Sequence, residues 1–352
     1  MIYMNENYYF VMYTTCRLTH GKRQSLIVDY AGDVSFHISH QYEQLIRMAD
    51  RHQLKETLAQ LDDQESKNYF LEFVDYMVTH RMATLVKDEA AFPKMSDELS
   101  YEEYKLRDVI WDIDKNTTIE LVDKILERLS PVNCKIVQIR QNTLLDTPIL
   151  DHILEGLKNT GAIYVEVHAT INPKLDVLYL EDFISRNALL NNLFLYGSEK
   201  ETFHSVMKKH PGYSSFCVGT IFYKDFDFDG GNSCGTICMK TLDFSGYWTY
   251  DLMKKKNGCL YKKLSIDAQG NYHNCPSMQT TYGNVFSKSI DEVLQDSNFL
   301  FWWNLNKDKI KVCCDCEYRY NCSDCRAFTE NPSDPYSKPS KCHYNPYSNL
   351  WS

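Results

Sequence analysis

Seven cysteines stand in one ordered array: Cys259, ten residues, Gly270, four residues, Cys275, then Cys313-x2-Cys316-x5-Cys322-x2-Cys325 and, after sixteen residues, Cys342. A four-iron cubane needs four thiolates converging from different directions. A pair two residues apart lets one tight turn supply two of them, and distant residues close the site. The array meets that need twice over. Gly270 suits a hairpin turn within Leu260 to His273, which would bring Cys259 and Cys275 to the same end of two strands. Two Cys-x2-Cys pairs also suit tetrahedral zinc, with His343 beside Cys342, so spacing alone leaves both chemistries open.

Ten of the thirteen cysteines lie between 234 and 342. The chain has no basic-then-apolar leader and no apolar run of the ~18 residues a membrane span needs, so a cytoplasmic location without membrane contact is expected. Thiols kept reduced there serve metal sites more often than disulfides. Cys16, Cys134 and Cys217 fall in apolar strand patterns and are expected as small core residues, with Cys314 a spare thiol. The net charge is −9. With no basic block to neutralise a row of phosphates, nucleic acid is excluded as a partner, and with it a winged-helix regulator of transcription. Asp225-x-Asp227-x-Asp229-Gly230 imitates a calcium loop, but Thr236 stands where a bidentate Glu is required, so a solvated strand edge is expected.

The fold class is α/β. Residues 1–95 read as a small winged-helix-like unit: strands at Tyr8 to Tyr13, Ser25 to Asp29 and Val34 to Ile38, turns at Gly21 and Gly32-Asp33, then three helices. Ser39 starts the first, Leu54, Leu58 and Leu61 mark the second, and Phe70, Phe73, Val74 and Met77 the third. A return strand, Met82 to Val86, precedes a break at Phe92-Pro93. Residues 96–130 read as a helical linker. Residues 131–224 alternate strand and helix, with strands at Lys135 to Arg140, Ala162 to His168, Asn192 to Tyr196 and Ser215 to Phe222 and helices such as Thr147 to Lys158 and Glu199 to Lys208. That makes a degenerate partial (β/α) barrel, short of eight strands. Residues 225–352 form the cysteine-rich domain.

The cysteine pattern resembles the SPASM domain of radical SAM peptide-modifying enzymes over residues 225–352. The resemblance implies two [4Fe-4S] clusters, one held by Cys313, Cys316, Cys322 and Cys342, the other by Cys259, Cys275 and Cys325. The family's fourth ligand to the latter lies about six residues upstream of the first motif cysteine. Here that place is Met253, so either Cys234 or Cys238 substitutes, Cys234 being freer beside Gly235, or one iron stays open. The C-x3-C-x2-C triplet that binds the S-adenosylmethionine cluster is absent: QNTLLDTP follows the first barrel strand, Cys234-x3-Cys238 lacks its third member, and VEVHATINP stands where a glycine-rich receiver belongs. No site for S-adenosylmethionine and no catalytic residue follows.

VMYTTCRLTHGKRQSLIVD, KIVQI, the CPSM of Cys275 to Met278 with Gly283-Asn284, and NPYSNLW extend the resemblance along the chain, to the SPASM peptide maturases of grasp-with-spasm systems. It implies a precursor peptide and an ATP-grasp ligase as partners. It also implies a peptide-recognition element at the N-terminus, docking the precursor as an added strand on Val34 to Ile38, with the helix around Phe70 to Met77 as groove wall. The competing reading is a non-catalytic iron–sulfur or zinc-stabilised scaffold that binds a protein partner.

Overall fold

The computed structural model describes residues 5–32, 34–92, 104–210, 213–229 and 234–352; Asp33, Pro93, Gly230 and the expected boundary at residue 95 lie outside these. The chain divides into two compact units, one of residues 1–100, 236–258 and 305–352, the other of residues 101–235 and 259–304. The cysteine-rich stretch is therefore shared between units.

The first unit opens with β1 (Tyr9–Met12), β2 (Cys16–His20), β3 (Ser25–Asp29), β4 (Val34–Ile38), α1 (His40–Ala49), β5 (His52–Gln53), α2 (Leu54–Leu58), α3 (Gln64–Thr79) and β6 (Ala83–Val86). These strands make two antiparallel sheets, β5–β1–β6 and β2–β3–β4, with β4 on an edge. Strand β2, CRLTH, is an addition to the three expected strands: its buried positions are only Cys16 and Thr19, so no apolar run marks it. Asp63 caps α3 by accepting from the Ser66 amide at 2.7 Å. Phe70, Phe73, Val74 and Met77 then form one buried stripe. Side chains alternate across a strand, so Ile27 of β3 joins that helical core while Leu26 and Val28 pack with Ile237, Leu242, Tyr318, Cys322 and Tyr344 on the other face. The C-terminal cysteine segment thus covers the second face of the N-terminal sheet.

The second unit runs through β7 (Asp108–Ile113), α4 (Ile119–Leu129), β8 (Ile136–Leu144), α5 (Thr147–Leu157), β9 (Tyr164–Thr170), α6 (Val177–Arg186), β10 (Leu190–Tyr196), β11 (Thr202–His210) and β12 (Tyr213–Lys224). After a return to the first unit that includes α7 (Tyr247–Lys255), it resumes with β13 (Lys263–Ile266), β14 (Tyr272–His273), α8 (Ile290–Val293) and α9 (Ser297–Asn304). The order β11–β12–β10–β9–β8–β7–β13–β14 makes a large, mostly parallel eight-stranded sheet. Two sequence expectations are corrected. Residues 96–130 hold a strand as well as a helix: Val109, Trp111 and Ile113 are buried at every second position of β7, the period of a strand. Thr202–His210 is a strand and not a helix, hairpinned antiparallel to β12. The first unit ends with β15 (Tyr344–Asn345) and β16 (Leu350–Trp351). Among the described residues no helix is long and apolar enough to cross a membrane.

Candidate functional site

In the first unit, Cys313, Cys316, Cys322 and Cys342 wall one chamber, completed mainly by Ile237, Leu242, Tyr318, Tyr344 and Trp351. Short 3-10 turns at Cys313–Asp315 and Arg319–Asn321 bend the chain so that local pairs face inward, and Ile237 bridges to Cys342 to bring in the distant member. Among the described residues no three cysteine sulfurs lie within 4.8 Å of one another. Zinc–sulfur bonds of ~2.3 Å would hold four sulfurs about 3.8 Å apart, closer together than any three of these stand. Burial pushes the Cys313 thiol up to about 12 and raises Cys316 well above its ordinary value. Ligation there would release protons.

A lysine attends the chamber. Lys307 is 4% exposed, with Nζ 3.9 Å from the Cys313 sulfur and 3.5 Å from Asp324. Burial works to depress it, yet the thiolates of Cys313 and Cys322 and the Asp324 carboxylate hold it well above its usual value. A buried ammonium in this place offsets the negative charge of thiolate ligands.

The second unit gathers Cys259 and Cys275 through the β13–β14 hairpin, whose turn has Gly270 at φ +82°. A Cβ there would come within 2.8 Å of Val285 and 2.9 Å of Leu121. Cys275, raised by burial to about 11, also feels the charges of Cys259, Lys263 and Cys234. Lys263 Nζ lies 3.7 Å from the Cys259 sulfur. Burial opposes its charge, and Cys259, Asp108 and Cys275 maintain it. Cys238 belongs to the first unit, as does Cys325, which is buried between Asp324 and Arg326. Cys16 and Cys134 are buried as expected, and Cys314 is exposed. Cys217 is a correction: it is exposed, because the hairpin of β11 and β12 lies at the edge of the sheet. Asp225, Asp227 and Asp229 are exposed as expected, but they follow the end of β12 and do not lie on a strand edge, while Phe226 and Phe228 turn back onto Tyr196 at 5.5 and 4.9 Å.

A groove of about 380 Å³ lies between edge strand β4 and helix α3, lined by Phe36, His37, Ile38, Ser39, Tyr42, Tyr69, Glu72, Phe73 and Tyr76. His37 Nε2 is 2.8 Å from the hydroxyl of Tyr318, itself a wall residue of the cysteine chamber. Nearby, His20, His40 and Glu43 have the spacing of a cation site. That site is closed. Ser25, His20 at 2.7 Å, and Arg47 Nε and Nη2 at 2.9 and 2.7 Å occupy all of the ~four acceptor positions of the Glu43 carboxylate.

One further constellation carries no spacing signal in sequence. Asp112, Arg140, His168, Phe194 and Phe222 occupy matching positions across five strands. Arg140 donates to Asp112 at 2.6 and 2.7 Å. The rings of His168, Phe194 and Phe222 stack at 4.5 and 4.8 Å. His168 also lies 3.2 Å from Glu166 Oε1 and 2.7 Å from the Tyr196 hydroxyl, and Gln138 donates to the same carboxylate. Burial raises Glu166, but these bonds keep it below its usual value; Tyr196 is pushed by burial to about 12. The alternate positions Val137, Ile139, Val165, Val167 and Leu193 are wholly buried. A carboxylate–imidazole–phenol chain on a parallel sheet can pass a proton, and an ion pair there adds little stability over apolar packing. Glu166 and His168 stand two apart in VEVHATINP, the one trace of this face in the sequence.

No family model matches this chain. No curated protein matches it either. Three solved structures of Streptococcus suis SuiB align over 94% of this chain and 99% of that one. One is of SuiB bound to S-adenosylmethionine (10% identity, TM-score 0.30), one of SuiB (11%, 0.31), and one of SuiB bound to precursor peptide SuiA (10%, 0.31).

Proposed function

We propose that this chain takes part in maturing a ribosomally made peptide, capturing the precursor by strand addition at β4, carrying two [4Fe-4S] clusters and acting with an ATP-grasp ligase. What carries the reading is the pairing, inside one compact unit, of an edge strand beside an aromatic groove with a chamber walled by four cysteines. In this reading the N-terminal unit is the winged-helix-like recognition element. Cys313, Cys316, Cys322 and Cys342 hold one cluster. Cys234, Cys259 and Cys275 serve the other, with Cys325 the ligand that the resemblance implies. Bound there, the clusters would supply one-electron chemistry or structural cross-linking, while Lys307 and Lys263 balance the thiolate charge.

Anaerobically purified protein should be brown and hold about eight irons per chain. Colourless protein with stoichiometric zinc overturns the iron–sulfur reading. Strand β3 turns the backbone of Ile27 and Asp29 toward Phe36 and Val34, which leaves the Ser35 amide on the open side of β4; Ser35→Pro removes that donor and should weaken precursor binding while leaving iron content alone. Without the three-cysteine triplet, S-adenosylmethionine under dithionite should give 5′-deoxyadenosine only at the background of a cluster-free control. Multiple turnover that vanishes on Cys234→Ala would make the chain an enzyme acting through its auxiliary cluster.

A further inference from the structure

We propose that the segment docked along β4 presents a positively charged side chain between two apolar ones, at positions i, i+2 and i+4. The proposal rests on the docking reading above and adds the chemistry of what is docked. Tyr69, Glu72 and Tyr76 follow one another on α3 at intervals of three and four, so they share the face that walls the groove. Tyr69 stacks on Tyr42 at 5.1 Å, and Tyr76 meets the ring of Phe36 edge-on at 6.5 Å. Both tyrosines remain more than 40% exposed, at 43% and 47%. They make two aromatic stations with one carboxylate between them.

The spacing suits a strand. From Tyr69 to Tyr76 the helix rises about 10 Å, and strand residues i to i+4 span about 13 Å with i, i+2 and i+4 on one face. A peptide laid along this wall therefore meets the first station, Glu72 and the second station with three side chains pointing the same way. The charge is one-sided. The nine residues lining the groove include Glu72 and no lysine or arginine; the adjoining cavity, which shares Tyr69, adds Asp63 and Glu65 and again no lysine or arginine. An ammonium or guanidinium here gains an ion pair and the neighbouring ring faces together. A carboxylate in the same place meets like charge.

The test uses two fluorescein-labelled peptides with identical glycine–serine flanks around Phe-Ser-Lys-Ser-Leu or Phe-Ser-Glu-Ser-Leu, titrated by anisotropy into the full-length protein. The lysine peptide should bind about tenfold tighter, by a ratio that shrinks with salt. Glu72→Lys should reverse the order, and Glu155→Lys, on α5 in the other unit, should leave it unchanged. Equal binding of both peptides, or an order that Glu72→Lys does not alter, overturns the charge assignment; if Ser35→Pro still weakens both, the docking surface stands. Failure of both peptides to bind, or binding indifferent to that proline, overturns the docking reading itself.

Discussion

The two cysteine groups differ in what surrounds them. Cys313, Cys316, Cys322 and Cys342 wall a chamber whose side chains pack against β3, so this group is built into the core beneath the N-terminal sheet. Cys259 and Cys275 hang from the ends of a hairpin at the margin of the parallel sheet and are half-buried. Each group has its own lysine; Lys307 is 4% exposed, and Lys263 is partly buried. A pattern that reads as one contiguous domain in sequence thus serves two compact units: it covers the second face of a sheet in one and packs against the core at the margin of a sheet in the other.

The largest effect should come from breaking the enclosed group. Cys313→Ala with Cys316→Ala should remove about half of the iron and, because the chamber wall is also the cover of β3, make residues 5–92 protease-sensitive along with the C-terminus. Survival of that segment would separate the N-terminal sheet from the cysteine chamber. Cys259→Ala with Cys275→Ala should lose similar iron and leave residues 5–92 protected.

Lys307→Met should cost about 3–4 kcal/mol in chemical denaturation, since it leaves buried Asp324 and the thiolates short of a cation, although Arg326 still donates to Asp324 at 2.7 Å. Lys263→Met, less enclosed, should cost clearly less; equal losses would erase the difference between the groups.

Acid should next act on the first unit through one carboxylate. Burial raises Glu43, but bonds from Ser25, His20 and Arg47 outweigh it and hold the carboxylate down at about 2. A depressed carboxylate stabilises above its unfolded value of ~4.3 and loses that contribution as pH falls toward 2. Hydrogen exchange in the first unit should therefore accelerate between about pH 4 and 2, and Glu43→Gln should flatten that dependence there without altering the second unit. Gly270→Ala should destabilise the hairpin by about 1–2 kcal/mol through its positive φ and the approach to Val285 and Leu121, visible as faster exchange of Lys263–Ile266. Cys217→Ser, on the exposed edge, should change stability by less than ~0.5 kcal/mol.

Local chemistry was legible in the residues themselves. The cysteine spacing, the Gly270 turn, the α3 stripe and edge strand β4 depend on intervals of two to five residues or on one glycine's φ, and all are present in the structure. Strand β2 was hidden because its alternation is polar. Thr202–His210 read as a helix because Phe203 and Val206, three apart, fit a helical period; in the strand they fall on opposite faces, and only pairing with β12 decides. Cys217 looked like a core residue because an apolar neighbourhood does not reveal that it lies on β12 ahead of Thr220, where pairing with β10 begins. By itself, then, the sequence determined which residues form turns, pairs and stripes, since those are contests between near neighbours. Only the tertiary structure decided that Lys307 stands beside Cys313, that His37 reaches Tyr318, and that Asp112, Arg140, His168, Phe194 and Phe222 form one row, because sheet register and the return of the C-terminus onto β3 bring together residues tens to hundreds of positions apart.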